Sequence, residues 1–254
     1  MLISQGAARN ARINLHLACS LALIAGALNA AAFYAVGFFA ANMTGNVSAL
    51  SDHVATAQWG SGLFFLAIVA TFIVGATVSS LLINAGRRRG IAGIYAYSIL
   101  VEACLLALLG LADIWLLTVW RPPLLILGLA FLMGLQNATV TRISDARVRT
   151  THVSGMATDI GIELGIAVDI LRGREPDVHA AENRARLKLH AWTIAAFLLG
   201  GVVGVLVYRA VGGYLLLVCA VSLFLIAIGG IRTGRGTFVT TATRRFRWMP
   251  PRRR

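Results

Sequence analysis

Apolar residues in this chain come in long uninterrupted runs, and the polar residues fill the gaps between them. The first run extends from about 15 to 41, the second from about 62 to 83 and the third from about 92 to 111. A fourth follows Pro122-Pro123 and reaches about 139, a fifth covers about 190–208 and a sixth about 212–231. Each is close to the ~20 residues with which a helix crosses roughly 30 Å of hydrocarbon. The pattern predicts an all-α membrane protein with six transmembrane helices. The stretch 142–188 is too mixed to span simply and reads as an amphipathic or re-entrant segment. Every proline falls at the edge of a run or in a loop, so no span is expected to kink at one. Arg9 and Arg12 ahead of the first run, with Ala30-Ala31-Ala32 inside it, imitate a signal peptide. The run continues to Ala41, beyond a usual signal core, so an uncleaved helix is expected.

Composition strengthens this reading. Of the 254 residues 58% are hydrophobic and 13% charged, where soluble domains carry about 25% charged residues. That leaves too little polar surface to cover a water-soluble globule, and the apolar excess must face lipid. The formal net charge is +13. In a soluble chain such a charge points to nucleic acid; here it sits between apolar runs, where basic residues set topology and touch anionic headgroups. Of the 23 Arg and Lys residues, all but Arg121 and Arg209 fall on one side of a six-span arrangement. Both termini are therefore predicted to be cytoplasmic, in a bacterial inner membrane. The expected partners are the bilayer, anionic lipids on the basic face and an unidentified small solute, with no nucleic acid.

The runs divide into two similar sets. Gly26-Ala27-Leu28-Asn29 in the first resembles Gly134-Leu135-Gln136-Asn137 in the fourth. Downstream, Asn42-Met43-Thr44-Gly45-Asn46 parallels His152-Val153-Ser154-Gly155-Met156, each a hydroxyl residue followed by glycine. Runs two and five share a small-residue pair, Gly75 with Ser79 and Gly200 with Gly204. Such pairs let helix backbones approach in lipid, where apolar surface gives little drive for association; the same face offers a route to a homodimer. Three crossings place the second copy upside down relative to the first. The expected architecture is a 3+3 inverted-topology repeat: a cytoplasmic N-terminus (1–14), one three-helix unit (15–111), a second (122–231) that includes 142–188, and a basic tail (232–254). Secondary transporters are often built this way, with sites at the repeat interface.

Polar residues within the runs supply the candidate site. Asn29 and Asn137 sit well inside their spans, where an amide costs a few kcal/mol (~2–7) unless hydrogen-bonded. They either bond each other or a neighbouring backbone, or they line a polar cavity; Gln136 beside Asn137 favours the cavity. Asn42, Thr44, Gly45 and Asn46 interrupt one run, and Thr151, Ser154, Gly155 and Asp159 stand in the matching segment. Each is an ordinary loop with a helix cap, or a broken helix whose exposed N–H groups hold an anion. Glu102 lies mid-span in run three as a proton or cation relay candidate. Cys19, Cys104 and Cys219 each lie inside an apolar run, and the histidines lack ligand spacing, so neither a metal nor a cofactor is expected.

The strings Phe39-Ala40-Ala41-Asn42-Met43-Thr44-Gly45-Asn46, Ala130-Phe131-Leu132-Met133-Gly134-Leu135-Gln136-Asn137-Ala138 and Val148-Arg149-Thr150-Thr151-His152-Val153-Ser154-Gly155 resemble the YoaK family of bacterial inner-membrane proteins, filed under a domain of unknown function. The resemblance covers about residues 15–231. It implies fold and location and brings no activity. In that family an aspartate usually stands where Asn29 is and threonine where Ser154 is. The first departure removes an intramembrane charge. A small-solute transporter or permease is the expected function, with a structural or regulatory membrane protein as the alternative. No enzyme motif of the metalloprotease, nucleophile-elbow or nucleotide-binding kind is present in the sequence.

Overall fold

The computed structural model describes residues 2, 10–91, 93–115 and 119–246, as backbone only at 177 and beyond 232. Among them the chain forms eight α-helices and no strand: α1 Ala11–Val36, α2 Met43–Ala55, α3 Trp59–Arg88, α4 Ile94–Trp115, α5 Arg121–Ser144, α6 Val153–Leu171, α7 Ala180–Val211 and α8 Tyr214–Phe246. A 3-10 turn, Asp177–His179, precedes α7. Helices α1, α3, α4, α5, α7 and the Tyr214–Arg232 part of α8 are long and apolar enough to cross a membrane. The protein is an integral membrane protein.

Local chemistry explains where these helices stop and start. The Asn10 side chain accepts the Ile13 N–H at 2.8 Å and caps α1. The first apolar run is not a single helix. At Gly37 the chain turns into the left-handed region (φ 79°), with its N–H on the Phe33 carbonyl, and α1 ends. Hydropathy cannot register that turn, because the residues on either side are equally apolar. The break lies at 37–42, and Thr44-Gly45-Asn46 form the first turn of α2. Pro122 and Pro123 open α5, where their missing N–H groups cost nothing. Helix α5 runs on to Ser144 before Asp145 and Ala146 take positive φ. Within the mixed stretch 142–188, α6 forms one helix, and α7 begins ten residues before the apolar run that marks its span. Backbone helix of α8 continues into the basic tail as far as Phe246; the tail's side chains lie outside the described residues.

Packing pairs α1 with α7, α3 with α5 and α4 with α8, while α2 lies on α3 and α6 on α7. More than half of the most apolar window is buried in α1, α4 and α5, but only 22% in α3 and 17% in α7. The first three make the interior, and the last two present their leucines and valines to lipid. Glycines make the crossings tight. A Cβ on Gly26 of α1 would collide with the Phe197 carbonyl of α7, and one on Gly200 of α7 with the Leu23 carbonyl of α1. In the other pair, Gly134 of α5 abuts the Phe72 carbonyl of α3, and Gly75 of α3 the Phe131 carbonyl of α5. Gly204 lies against Ala27, and Ser79 shares a hydrogen bond with Thr139 at 2.8 Å. Backbones this close gain dispersion and Cα–H···O contacts along the seam, which is how helices associate in lipid.

Gly134→Leu should therefore drive α3 and α5 apart, destabilising the detergent-solubilised protein by about 2 kcal/mol or more. Gly161→Leu on α6, where an added Cβ meets nothing within 4 Å, should leave the melting temperature nearly unchanged. Thermal unfolding of the two variants beside the wild type checks this; equal effects would contradict it.

Candidate functional site

The two helix breaks are held by two asparagines. Asn29, near the end of α1, accepts the Ala41 N–H on Oδ1 at 2.8 Å. Asn137, near the end of α5, accepts the Thr151 hydroxyl at 3.0 Å and, at 3.4 Å, the Thr150 hydroxyl, while its amide donates to the Met133 carbonyl at 2.8 Å. They do not bond each other. Each reaches forward to the connection that follows its own helix; Asn137 has partners for both its oxygen and its nitrogen, and Asn29 for its oxygen.

The connections themselves are braced differently. Phe39 stacks on Phe33 with ring centroids 4.2 Å apart, and Phe38 packs edge-on against Phe64 and Phe65 of α3. The 145–152 connection is tied by hydrogen bonds, with Ser144 accepting the Val148 N–H at 3.0 Å. Glycine then clears space for the residue that opens each short helix. The Asn42 side chain lies over Gly45 and accepts its N–H at 3.1 Å. The His152 ring lies over Gly155 without bonding the backbone of α6, and its Nδ1 is 3.3 Å from Arg149. A side chain at either glycine would evict that cover.

Between the two breaks lies a cavity of about 900 Å³. Its walls include Asn29, Asn42, Thr44 and Gly45 from one set of elements and Asn137, Thr151 and Ser154 from the other. Phe72 of α3 and Phe197 of α7 also line it. Of the residues singled out in the sequence, these six polar residues and Gly45 come together. Asn46 is buried beside them, its amide donating to the Phe39 carbonyl at 3.2 Å. Gln136 does not join the cavity: its amide donates to Glu102 at 2.9 Å, tying α5 to α4 in a fully buried pair. Adjacent amides thus point in different directions, one to the break and one to a neighbouring helix. Asp159 lines a different cavity near the start of α7.

His152 already stood out in the sequence as a titratable residue beside the hydroxyl-glycine element, whereas several other polar groups did not. Among the described residues, Arg149 and His152 are the charged or titratable ones on the central cavity's wall, and no carboxylate lines it. Asp113 lies beyond the end of the third apolar run but within α4, and it accepts Arg121 at 2.6 Å and the Tyr208 hydroxyl at 2.9 Å. Arg142 donates to Ser80 and Asn84 of α3 at 2.6 and 2.8 Å. Partners some 60 to 95 positions apart leave no periodic trace, although an arginine at a span edge is itself a signal that a partner is needed.

Asn137→Ala should cost about 1–2 kcal/mol by leaving the Thr151 hydroxyl and its connection unheld. Ser48→Ala, at an exposed position on the cavity wall, should cost much less. Melting curves in one detergent check the difference, and a neutral Asn137→Ala would contradict the bracing role.

No curated protein and no solved structure matches the chain. The family model described as "Protein of unknown function (DUF1275)" matches residues 17–229, from within α1 to within α8. The chain belongs to that family.

Proposed function

We propose that the protein is a small-solute transporter or permease of the bacterial inner membrane, with both termini cytoplasmic and a polar site where two inverted three-span repeats meet. One observation carries the reading: a single cavity is lined by both asparagines and by the opening turns of both short helices. The two halves also use matched contacts. Gly26 and Gly134 meet the carbonyls of Phe197 and Phe72, and Gly200 and Gly75 meet those of Leu23 and Phe131. In each half a spanning helix breaks, a short helix follows, and that short helix packs on the next span. Broken helices around a central site are the common construction of secondary transporters.

The wall favours an anion over a cation. Among the described residues it holds Arg149 and His152 but no carboxylate, and the positive ends of α2 and α6 open onto it. Amides and hydroxyls supply the remaining hydrogen bonds. A solute occupying part of 900 Å³ is of metabolite size.

In proteoliposomes screened with labelled small carboxylates, inorganic anions, sugars and amines, at least one anion should move. Thr44→Cys and Ser154→Cys should react with a water-soluble thiol reagent, and the transported anion should slow both reactions. Folded protein that moves no solute of any class, with both cysteines unreactive, would leave a structural or regulatory membrane protein as the better reading.

A further inference from the structure

The two bracing asparagines are alike in sequence and unlike in what they leave free. Asn137 is spent. Its oxygen accepts two hydroxyls, from Thr151 at 3.0 Å and Thr150 at 3.4 Å, and its nitrogen donates to the Met133 carbonyl at 2.8 Å. Asn29 gives its oxygen to the Ala41 N–H at 2.8 Å. That bond fixes the orientation of the amide, because only the oxygen can accept. The NH2 group of Asn29 then has no hydrogen-bond partner among the described residues, although the residue is only 7% exposed. A buried donor left unbonded costs stability, so the position favours an occupant that can accept from it. Asn29 is a wall residue of the central cavity, and the occupant is whatever that cavity holds.

The rest of the wall has the same bias towards donors. Asn42, its third asparagine, also has its oxygen engaged, by the Gly45 N–H at 3.1 Å. The Arg149 guanidinium offers donors alone. Among the described residues no carboxylate lines the cavity to receive an ammonium group. The two short helices differ at their openings. The Asn42 side chain caps α2, whereas α6 opens without a side-chain cap on the wall that carries Arg149. A charged anchor therefore stands at the start of α6, and a neutral donor stands on α1.

We propose that the cavity binds a small organic acid at two points, its carboxylate at Arg149 and the opening of α6, and a second acceptor oxygen at the Asn29 amide. The proposal deepens the anion reading of this cavity and rests on it. Asn29 is then a specificity-determining residue as well as a brace: its oxygen holds the chain and its nitrogen reads the solute. A second carboxylate, a keto oxygen or a hydroxyl oxygen satisfies that nitrogen. A methyl group leaves it unbonded, and an ammonium group sets a donor against a donor. Discrimination comes from the mismatched end, which the site penalises. An inorganic oxyanion would leave most of the 900 Å³ unfilled.

Binding is measured on the full-length protein in detergent, by the rise in melting temperature as a probe is titrated, with no membrane and no flux. The probes are succinate, glutarate and adipate, each set against the straight-chain monocarboxylate and the ω-amino acid of the same length. At least one diacid should bind about ten-fold more tightly than its monocarboxylate, with the ω-amino acid weakest. Asn29→Asp keeps an oxygen for Ala41 and replaces the NH2 group. It should melt close to the wild type and reverse the order, preferring the ω-amino acid. Asn29→Ala serves if Asn29→Asp does not fold, and should bind diacid and monocarboxylate alike. Arg149→Gln should weaken every carboxylate. Equal binding of every diacid and its monocarboxylate by the wild type, or an Asn29→Asp that keeps the wild-type order, overturns the second anchor and leaves the anion reading standing. Folded wild type that binds no carboxylate, or an Arg149→Gln with unchanged affinities, overturns the two-point site together with the anion reading. A flux screen in which nothing moves would sink transport alone.

Discussion

Where a helix ends among other helices, its freed amide and carbonyl groups must find partners inside the protein. This protein has two such ends, followed by short helices α2 and α6. Asn29 holds the Ala41 N–H after the first break, and Asn137 holds Thr151 after the second. The rest of the site depends on those bonds. With the connections fixed, the opening turns of α2 and α6 face one cavity, and Gly45 and Gly155 let Asn42 and His152 lie over them.

Close backbone packing holds the two breaks in a common frame. Helices α1 and α7 cross through Gly26 and Gly200, and α5 and α3 through Gly134 and Gly75. Large side chains at those crossings would separate the spans and displace Phe72 and Phe197, whose carbonyls the glycines touch and which also wall the cavity. Stability and site geometry are therefore set by the same four residues. Polar ties reinforce the frame elsewhere: Ser79 and Ser98 share Thr139 between α3, α4 and α5, and Asp113 joins Arg121 to Tyr208.

Much of this was legible in the sequence, for physical reasons. A span needs an unbroken apolar stretch, so the six membrane helices announce themselves by length. Gly75 and Gly200 were readable because close crossings in lipid demand small residues. Asn29 and Asn137 stood out because an amide in hydrocarbon needs a reason. The breaks were harder to place: the left-handed turn at Gly37 falls among apolar residues and leaves hydropathy unchanged, so the motif Thr44-Gly45-Asn46 took the attention that belonged to residues 37–42. Gln136 was drawn toward the cavity by its neighbour, whereas helix geometry turns adjacent side chains about 100° apart and sends it to Glu102. The approach of Glu163 to His190 links positions 27 apart across the 3-10 turn, and no local pattern records it.

The central claim is that two helix breaks, more than a hundred residues apart in sequence, meet over one polar cavity. Cross-linking tests it most directly, using the Thr44→Cys/Ser154→Cys double variant in native membranes with a short bifunctional thiol reagent, followed by a protease cut between the two halves. If both residues line one cavity, the fragments stay joined after cleavage. Fragments that separate, although each cysteine alone reacts with the monofunctional reagent, would contradict the account.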